Sequence, residues 1–241
     1  MKHMTADCST TSLLGNRPQF YLNDFAQARD YMVDDQLRPS EITDPQLLKI
    51  MRTLPREECV PTAQQAIAYA DVNVPIGEKR VLAQPLITAR LVQASLSESL
   101  KKTLIVGAGA GYTAAIFAHL GKNVTALESD PTLAEIGERF CQRHAPSVTW
   151  VVGNLKDGHP SNAPYDLIYF DGTVFDMPQF CDEQLSDKGA IVGMWATTHG
   201  MASGFQAYRE NRSSTIFTKT FLFDGFLPPL QGLSPTSSFQ F

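Results

Sequence analysis

The sequence predicts an α/β chain built on a doubly wound, mostly parallel sheet, with an antiparallel C-terminal edge and an N-terminal helical layer. Three observations predict it. First, an apolar run, Leu104-Ile105-Val106, enters a glycine-rich turn, Gly107 to Gly111, then a helix-like segment to Leu120 and a second short strand ending on Glu128. Second, strand and helix patterns alternate from there to Trp195, as in parallel sheets covered by helices on both faces. Third, residues 21–100 read almost wholly as helices and loops ahead of the first sheet strand.

Each element has its own signal. Residues 1–20 are polar and read as a flexible N-terminus; 21–241 read as one domain, divided into a helical and substrate-loop layer (21–100) and a sheet (101–241). Asn23 or Asp24 caps a first helix in which Leu22, Phe25, Ala28 and Met32 recur at helical spacing, with Phe25, Tyr31 and Met32 expected in the core. That helix ends near Arg38-Pro39, because a residue before proline avoids the helical region. Thr43 or Asp44 caps a second, with Pro45 at its first position and Pro55 closing it. A short third helix is expected at 62–70, loop and short strand at 71–85, and a helix at 86–100. Beyond Glu128 come a helix at 131–143, strands at 147–152 and 166–170, a helix at 178–185 and a strand at 189–195. The alternation at 215–223 and the segment 239–241 suggest the antiparallel edge. Trp150 and Trp195 are expected to pack in the core.

Bulk properties narrow the function. The chain has 241 residues, of which 43% are hydrophobic, enough for one large core. No apolar run has the roughly 18–20 residues a membrane span needs, and the N-terminal stretch lacks a signal-peptide core. A cytoplasmic protein without a membrane partner is therefore expected. The net charge of −5 argues against electrostatic capture of nucleic acid. Cys8, Cys59, Cys141 and Cys181 are scattered, and the five histidines form no ligand spacing, so no metal is expected.

The glycine turn carries the chemistry. Glycine permits positive φ and close approach of a ligand to the backbone. A helix start offers unpaired N–H groups. An acid at the tip of the second strand can accept from both hydroxyls of a ribose. The dinucleotide fingerprint G-x-G-x-x-G/A fails here, because Tyr112 fills its last position. The pattern is G-x-G-x-G, with Glu128 twenty-one residues after Gly107. This spacing resembles the Rossmann-like sheets of S-adenosylmethionine (SAM) methyltransferases. A nicotinamide oxidoreductase is disfavoured by Tyr112 and by the lack of Tyr-x-x-x-Lys; base methylation is disfavoured by Tyr169-Phe170-Asp171-Gly172 where an N/D-P-P-Y motif belongs.

A longer resemblance extends over about residues 30–195. Met32-Val33-Asp34-Asp35-Gln36-Leu37-Arg38, Ile42-Thr43-Asp44-Pro45, Leu54-Pro55-Arg56-Glu57 and Val60-Pro61 come first. Tyr69-Ala70-Asp71, Val74-Pro75-Ile76-Gly77, Leu82-Ala83-Gln84-Pro85 and Ala89, the glycine turn to Thr113, Ala163-Pro164-Tyr165-Asp166 and Pro178 follow in order. The set resembles the protein-L-isoaspartate O-methyltransferase family. The resemblance implies SAM as cofactor, S-adenosylhomocysteine (SAH) as product, and an isoaspartyl peptide or protein, or another carboxylate, as partner, in a monomer or homodimer. A carboxylate is already an anion at neutral pH, so such chemistry asks for alignment and desolvation more than for an acid–base pair. No catalytic residue is identifiable.

The resemblance places Asp71, Ala83, Gln84 and Pro85 on the substrate side. It places Gly107, Ala108, Gly109, Gly111, Tyr112, Glu128, Ser129, Asn154, Leu155 and Asp171 around the cofactor. Glu128 would accept from the ribose, Asn154 would border the adenine, and Tyr112 would pack over the turn. Asp71 would face substrate or cap the helical layer. Two departures stand out. The family's hydroxyl residue before Gln-Pro is Ala83 here, and its Gly-Asp-Gly is Gly153-Asn154-Leu155. The closing stretch FLFDGFLPPLQGLSPTSSFQF also fits the family poorly. These departures keep two alternatives open: a different methyl acceptor, or a non-catalytic SAM- or SAH-binding protein.

Overall fold

The computed structural model describes residues 24–197, 202–209 and 217–234. The opening helix α1 (Phe25–Tyr31) is capped by Asp24, whose side chain accepts from the Gln27 amide at 3.0 Å. It runs on through a wider π-type stretch, Met32–Leu37, and a tight turn, Arg38–Ser40, that ends on left-handed Glu41. Met32 and Phe25 pack inward as expected, but Tyr31 is 54% exposed, because it falls about 100° round the helix from Met32, off the buried stripe. In α2 (Pro45–Thr53), Asp44 rather than Thr43 is the cap, with Pro45 in the first turn. The third helix is a 3-10 segment, Thr62–Ile67.

Residues 71–85, expected as loop and one short strand, hold two paired strands. β1 (Val74–Gly77) and β2 (Arg80–Leu82) form an antiparallel hairpin around Glu78 and a left-handed Lys79. Side chains alternate along a strand, so Arg80 and Leu82 face inward together while Val81 lies between. α3 (Pro85–Ala94) stops well short of Leu100, since Ser97-Glu98-Ser99 turns the chain toward the sheet.

Among the described residues the main sheet has seven strands: β3 (Lys102–Val106), β4 (Asn123–Glu128), β5 (Thr149–Val152), β6 (Tyr165–Val174), β7 (Leu185–Trp195), β8 (Ala202–Arg209) and β9 (Phe217–Gly225). Their order is β5-β4-β3-β6-β7-β8-β9, parallel through β7 and antiparallel at the β7–β8 and β8–β9 pairs. β3 is buried on both faces, which is why it reads as a continuous apolar run. α4 (Tyr112–His119) is buried nearly all round, whereas α5 (Pro131–His144), capped by Asp130, is amphipathic and covers the outside. α6 (Phe180–Gln184) is shorter than expected. Trp195 packs edge-on against Phe205, and Trp150 packs on Gly137 of α5.

The sheet winds one way from β3 to β5 and the other from β6 outward. The switch therefore falls between β3 and β6, and ligands in such sheets bind at the carboxyl ends of those strands. Two further differences concern the sheet. β6 continues past the expected end at Phe170, because Thr173 and Val174 go on pairing with Met194 and Trp195 of β7 while residues 227–230 hold the other edge of its tip: Thr173 donates its amide to the Pro228 carbonyl at 3.1 Å and its hydroxyl to that of Leu227 at 2.6 Å, and accepts from the Leu230 amide at 3.0 Å. β8 was not expected from sequence, and residues 239–241, read as an edge strand, lie outside the described residues.

Candidate functional site

The glycine turn leaves β3 with Gly107, Gly109 and Gly111 at φ +76°, +56° and +90°, a backbone that L side chains rarely adopt. The amides of Gly107 and Ala108 both bond the Leu127 carbonyl, at 2.9 and 3.0 Å, tying the turn to β4. Gly111 has a packing role: a Cβ there would meet the Gly137 carbonyl at 2.9 Å, so its absence lets α4 approach α5.

Glu128 ends β4 facing this turn, fully buried. One oxygen accepts from the Gly109 amide at 2.7 Å; the other accepts from the Ser129 and Asp130 amides at 2.8 and 3.1 Å and from the Ser129 hydroxyl at 3.3 Å. Arg80, reaching in from the hairpin, spans both oxygens with Nη1 at 2.8 and 2.9 Å, and its Nη2 donates to the Gly107 carbonyl at 2.8 Å. The Arg80 side chain is only 6% exposed.

A second group closes the same space. Leu230, on the segment paired with Thr173, is 1% exposed. Its Cδ2 stands 2.6 Å from where a Cβ would be on Gly107 and equally 2.6 Å from one on Gly172, across the β3–β6 switch. Ile76 fills the corresponding place over Gly109, at 3.3 Å. The hollow left among Arg80, Ala83, Asp171, Gly172, Leu227 and Pro228 is about 10 Å³, at the lower limit for one water.

Asp171 lines that hollow. Burial pushes its carboxyl up to about 6, against the opposing pull of the Thr113 hydroxyl and the Arg80 guanidinium. Behind Ala83 lies Arg56, wholly buried. Its Nε donates to the Ala68 carbonyl at 2.7 Å, its Nη2 donates to the Ala83 carbonyl, and its guanidinium sits 5.1 Å from the centre of the Tyr112 ring. Burial lowers its pKa, and Nη1 has no hydrogen-bond partner among the described residues.

The expected positions divide accordingly. Gly107, Ala108, Gly109, Glu128, Ser129 and Asp171 converge on the switch point, and Ala83 borders it. Tyr112 turns into the core against Arg56 instead of lying over the turn. Asn154 is exposed and caps the Leu155–Asp157 turn, accepting from the Lys156 amide at 3.1 Å, while Leu155 is buried in the core beneath. Gln84 precedes α3 with Pro85 in its first turn, and Asp71 accepts from the Leu86 amide at 3.3 Å, so it caps α3 rather than the helical layer. Arg80 and Leu230 were not singled out from sequence. The one available signal for Arg80 was a charge at an inward position of an alternating stretch.

Comparisons with known proteins decide the family. The sequence model described as protein-L-isoaspartate(D-aspartate) O-methyltransferase (PCMT) matches residues 28–219. The chain belongs to this family. A relative named protein-L-isoaspartate O-methyltransferase from Herpetosiphon aurantiacus is 34% identical over 209 residues, covering 86% of this chain and 91% of the relative. One of the same name from Methylorubrum extorquens is 35% identical over 169 residues, 70% of this chain and 74% of the relative. A solved protein-L-isoaspartate O-methyltransferase superposes with a TM-score of 0.72 at 20% identity, covering 85% of this chain and 67% of that one. A Plasmodium falciparum structure described as such a methyltransferase in complex with SAH gives 0.69 at 16% identity, covering 87% and 99%. These two superpositions establish the fold, the mostly parallel seven-stranded sheet with its antiparallel edge.

The residue types of the PCMT scaffold suit a nucleoside cofactor: Cβ-free turns, an acid at the β4 tip and a switch-point crevice. The arrangement in this structure does not fit one. Every acceptor direction of Glu128 is taken, Leu230 lies on the glycines, and small-molecule sites need roughly 300 Å³ or more.

Proposed function

We propose that the chain is a SAM-dependent carboxyl O-methyltransferase that repairs isoaspartyl-containing peptides or proteins. The observation that carries this reading is the glycine turn facing Glu128 at the switch point, in a chain whose relatives over most of its length bear that name. The cofactor, when bound, supplies an electrophilic methyl on a sulfonium. The chain's own contribution is binding and alignment. Gly107 and Gly109 leave the backbone bare for close approach, and Glu128 offers its carboxylate to a ribose once Arg80 withdraws. Ala83 presents no hydroxyl toward the reacting carboxylate. The buried cation behind it, Arg56, favours an anion at that end of the site without touching it.

A groove of about 710 Å³ opens beside the closed niche, between Thr173 and Phe175 of β6 and its extension and the Asp224–Leu227 segment. At the carboxyl end of β6, it is the natural berth for a peptide substrate. Among the described residues no helix is long and apolar enough to cross a membrane. Cys59, Cys141 and Cys181 are buried free thiols, which suits a reducing cytosolic setting. Incubation with an isoaspartyl peptide and methyl-labelled SAM tests the reading: a base-labile methyl ester is expected, and its absence refutes repair. Ala83 favours a second reading, in which the acceptor is another carboxylate; labelling of a carboxylate panel but not of the isoaspartyl peptide would select it.

A further inference from the structure

We propose that Arg80 and Leu230 form an autoinhibitory latch, an internal stand-in for the cofactor that SAM must displace before the site can work. The inference rests on the SAM reading above and concerns regulation of that same niche.

The two residues occupy what a nucleoside would need. Arg80 spends one guanidinium nitrogen on both oxygens of Glu128, at 2.8 and 2.9 Å, the acceptors meant for a ribose diol, and another on the Gly107 carbonyl. Leu230 covers Gly107 and Gly172, the backbone a ligand would approach. Both arrive from outside the glycine-turn unit: Arg80 from the inward face of the β1–β2 hairpin, Leu230 from a segment beyond the last strand. Both are built in. The hairpin register sets Arg80 opposite Gly77 and aims it inward, and three hydrogen bonds to Thr173 hold residues 227–230 on the tip of β6. The remaining hollow of about 10 Å³ admits no nucleoside alongside them.

Latch and ligand therefore exclude each other, and the apparent affinity is the intrinsic one reduced by the fraction of molecules standing open. Opening needs no rearrangement of the sheet. The hairpin and the 227–230 segment lie on its rim, and such peripheral units open at lower free energy than core strands. Glu128 would exchange a guanidinium for the two ribose hydroxyls and keep its backbone amides.

The test is SAH titration calorimetry on the full chain and on Arg80→Ala and Leu230→Ala, each first checked for a cooperative melt. If nine molecules in ten are latched, each variant should bind SAH up to about tenfold more tightly than the unmodified chain. Affinity unchanged within about twofold in both variants overturns the latch while leaving the cofactor reading intact. If neither the chain nor its folded variants take up SAH at millimolar concentration, the cofactor reading fails and the latch with it. Where a variant does not fold, hydrogen exchange on the unmodified chain decides. SAH should deprotect the Leu230 amide, now bonded to Thr173, and an equally protected amide in the SAH-bound protein rejects the proposal.

Discussion

Removing the arginine should also weaken the ligand-free protein, and the size of that loss checks the geometry directly. In Arg80→Ala the fully buried Glu128 carboxylate loses the cation that spans both its oxygens at 2.8 and 2.9 Å. Stripping one partner from a buried ion pair costs about 3–5 kcal/mol, because the other charge stays desolvated. Here three backbone amides remain on the carboxylate, from Gly109, Ser129 and Asp130 at 2.7, 2.8 and 3.1 Å. The loss therefore belongs at the low end, about 3 kcal/mol, or a fall in Tm of about 6–12 °C for a chain of this size. Adding Glu128→Gln removes the stranded charge, so the double variant should lose less than the sum of the single losses, with a coupling of at least about 1.5 kcal/mol. The assay is urea unfolding followed by circular dichroism, at fixed pH and salt. A loss below about 1 kcal/mol, the level of an exposed pair, would refute a closed, dry Arg80–Glu128 contact. Strict additivity in the cycle would do the same.

Other perturbations probe the surrounding residues. Ala83→Ser restores a donor toward the reacting carboxylate and should raise isoaspartyl turnover about ten- to a hundred-fold, read as base-labile methyl release; no rise means the acceptor lies elsewhere. Asp171 keeps its proton up to about 6 when folded, so between about pH 4 and 6 the folded chain binds more protons than the unfolded one. Its contribution is thus full below that window and is lost as pH rises through it, by at most ~3 kcal/mol and, with partial exposure, ~1–2 kcal/mol. Asp171→Asn should flatten that slope in urea unfolding between pH 4 and 7, and an unchanged slope assigns it to other groups. Gly111→Ala puts a Cβ 2.9 Å from the Gly137 carbonyl at a φ of +90°, and should cost at least about 2 kcal/mol in the same assay. A neutral result there would contradict the close α4–α5 approach.

What the sequence disclosed, it disclosed through local rules. The glycine turn, Glu128 at the strand tip and the proline-first helices α2 and α5 were legible because each depends on neighbours a few residues away. The family resemblance located Ala83 and the site loop, since its motifs lie in order along the chain. Where the reading fell short, the cause was distant. β6 runs past Phe170 because its tip pairs with Met194 and Trp195 of β7 on one side and with residues 227–230 on the other, and no local signal in Asp171-Gly172 announces partners so far along the chain. Tyr112 turned inward because a buried Arg56 lies behind it, a neighbour from the helical layer rather than from the turn.

The same reasoning explains why the closed niche stayed hidden while its outline was plain. The outline belongs to one contiguous unit, β3 to β4, whose backbone needs fix glycine and acid spacing. Its contents come from two separate places, 48 residues from Glu128 in the case of Arg80. A glycine turn records only that something must come close; it does not distinguish a ligand from a leucine of the same chain, since both require the missing Cβ. Glu128 is equally indifferent, because a guanidinium nitrogen and a ribose diol can each donate to both oxygens of one carboxylate. The family's cofactor grammar and this chain's latch are therefore written in the same residues. The difference lies in Arg80 and Leu230, and substituting these two while keeping Gly107, Gly109 and Glu128 is what separates a site that is closed from one that is absent.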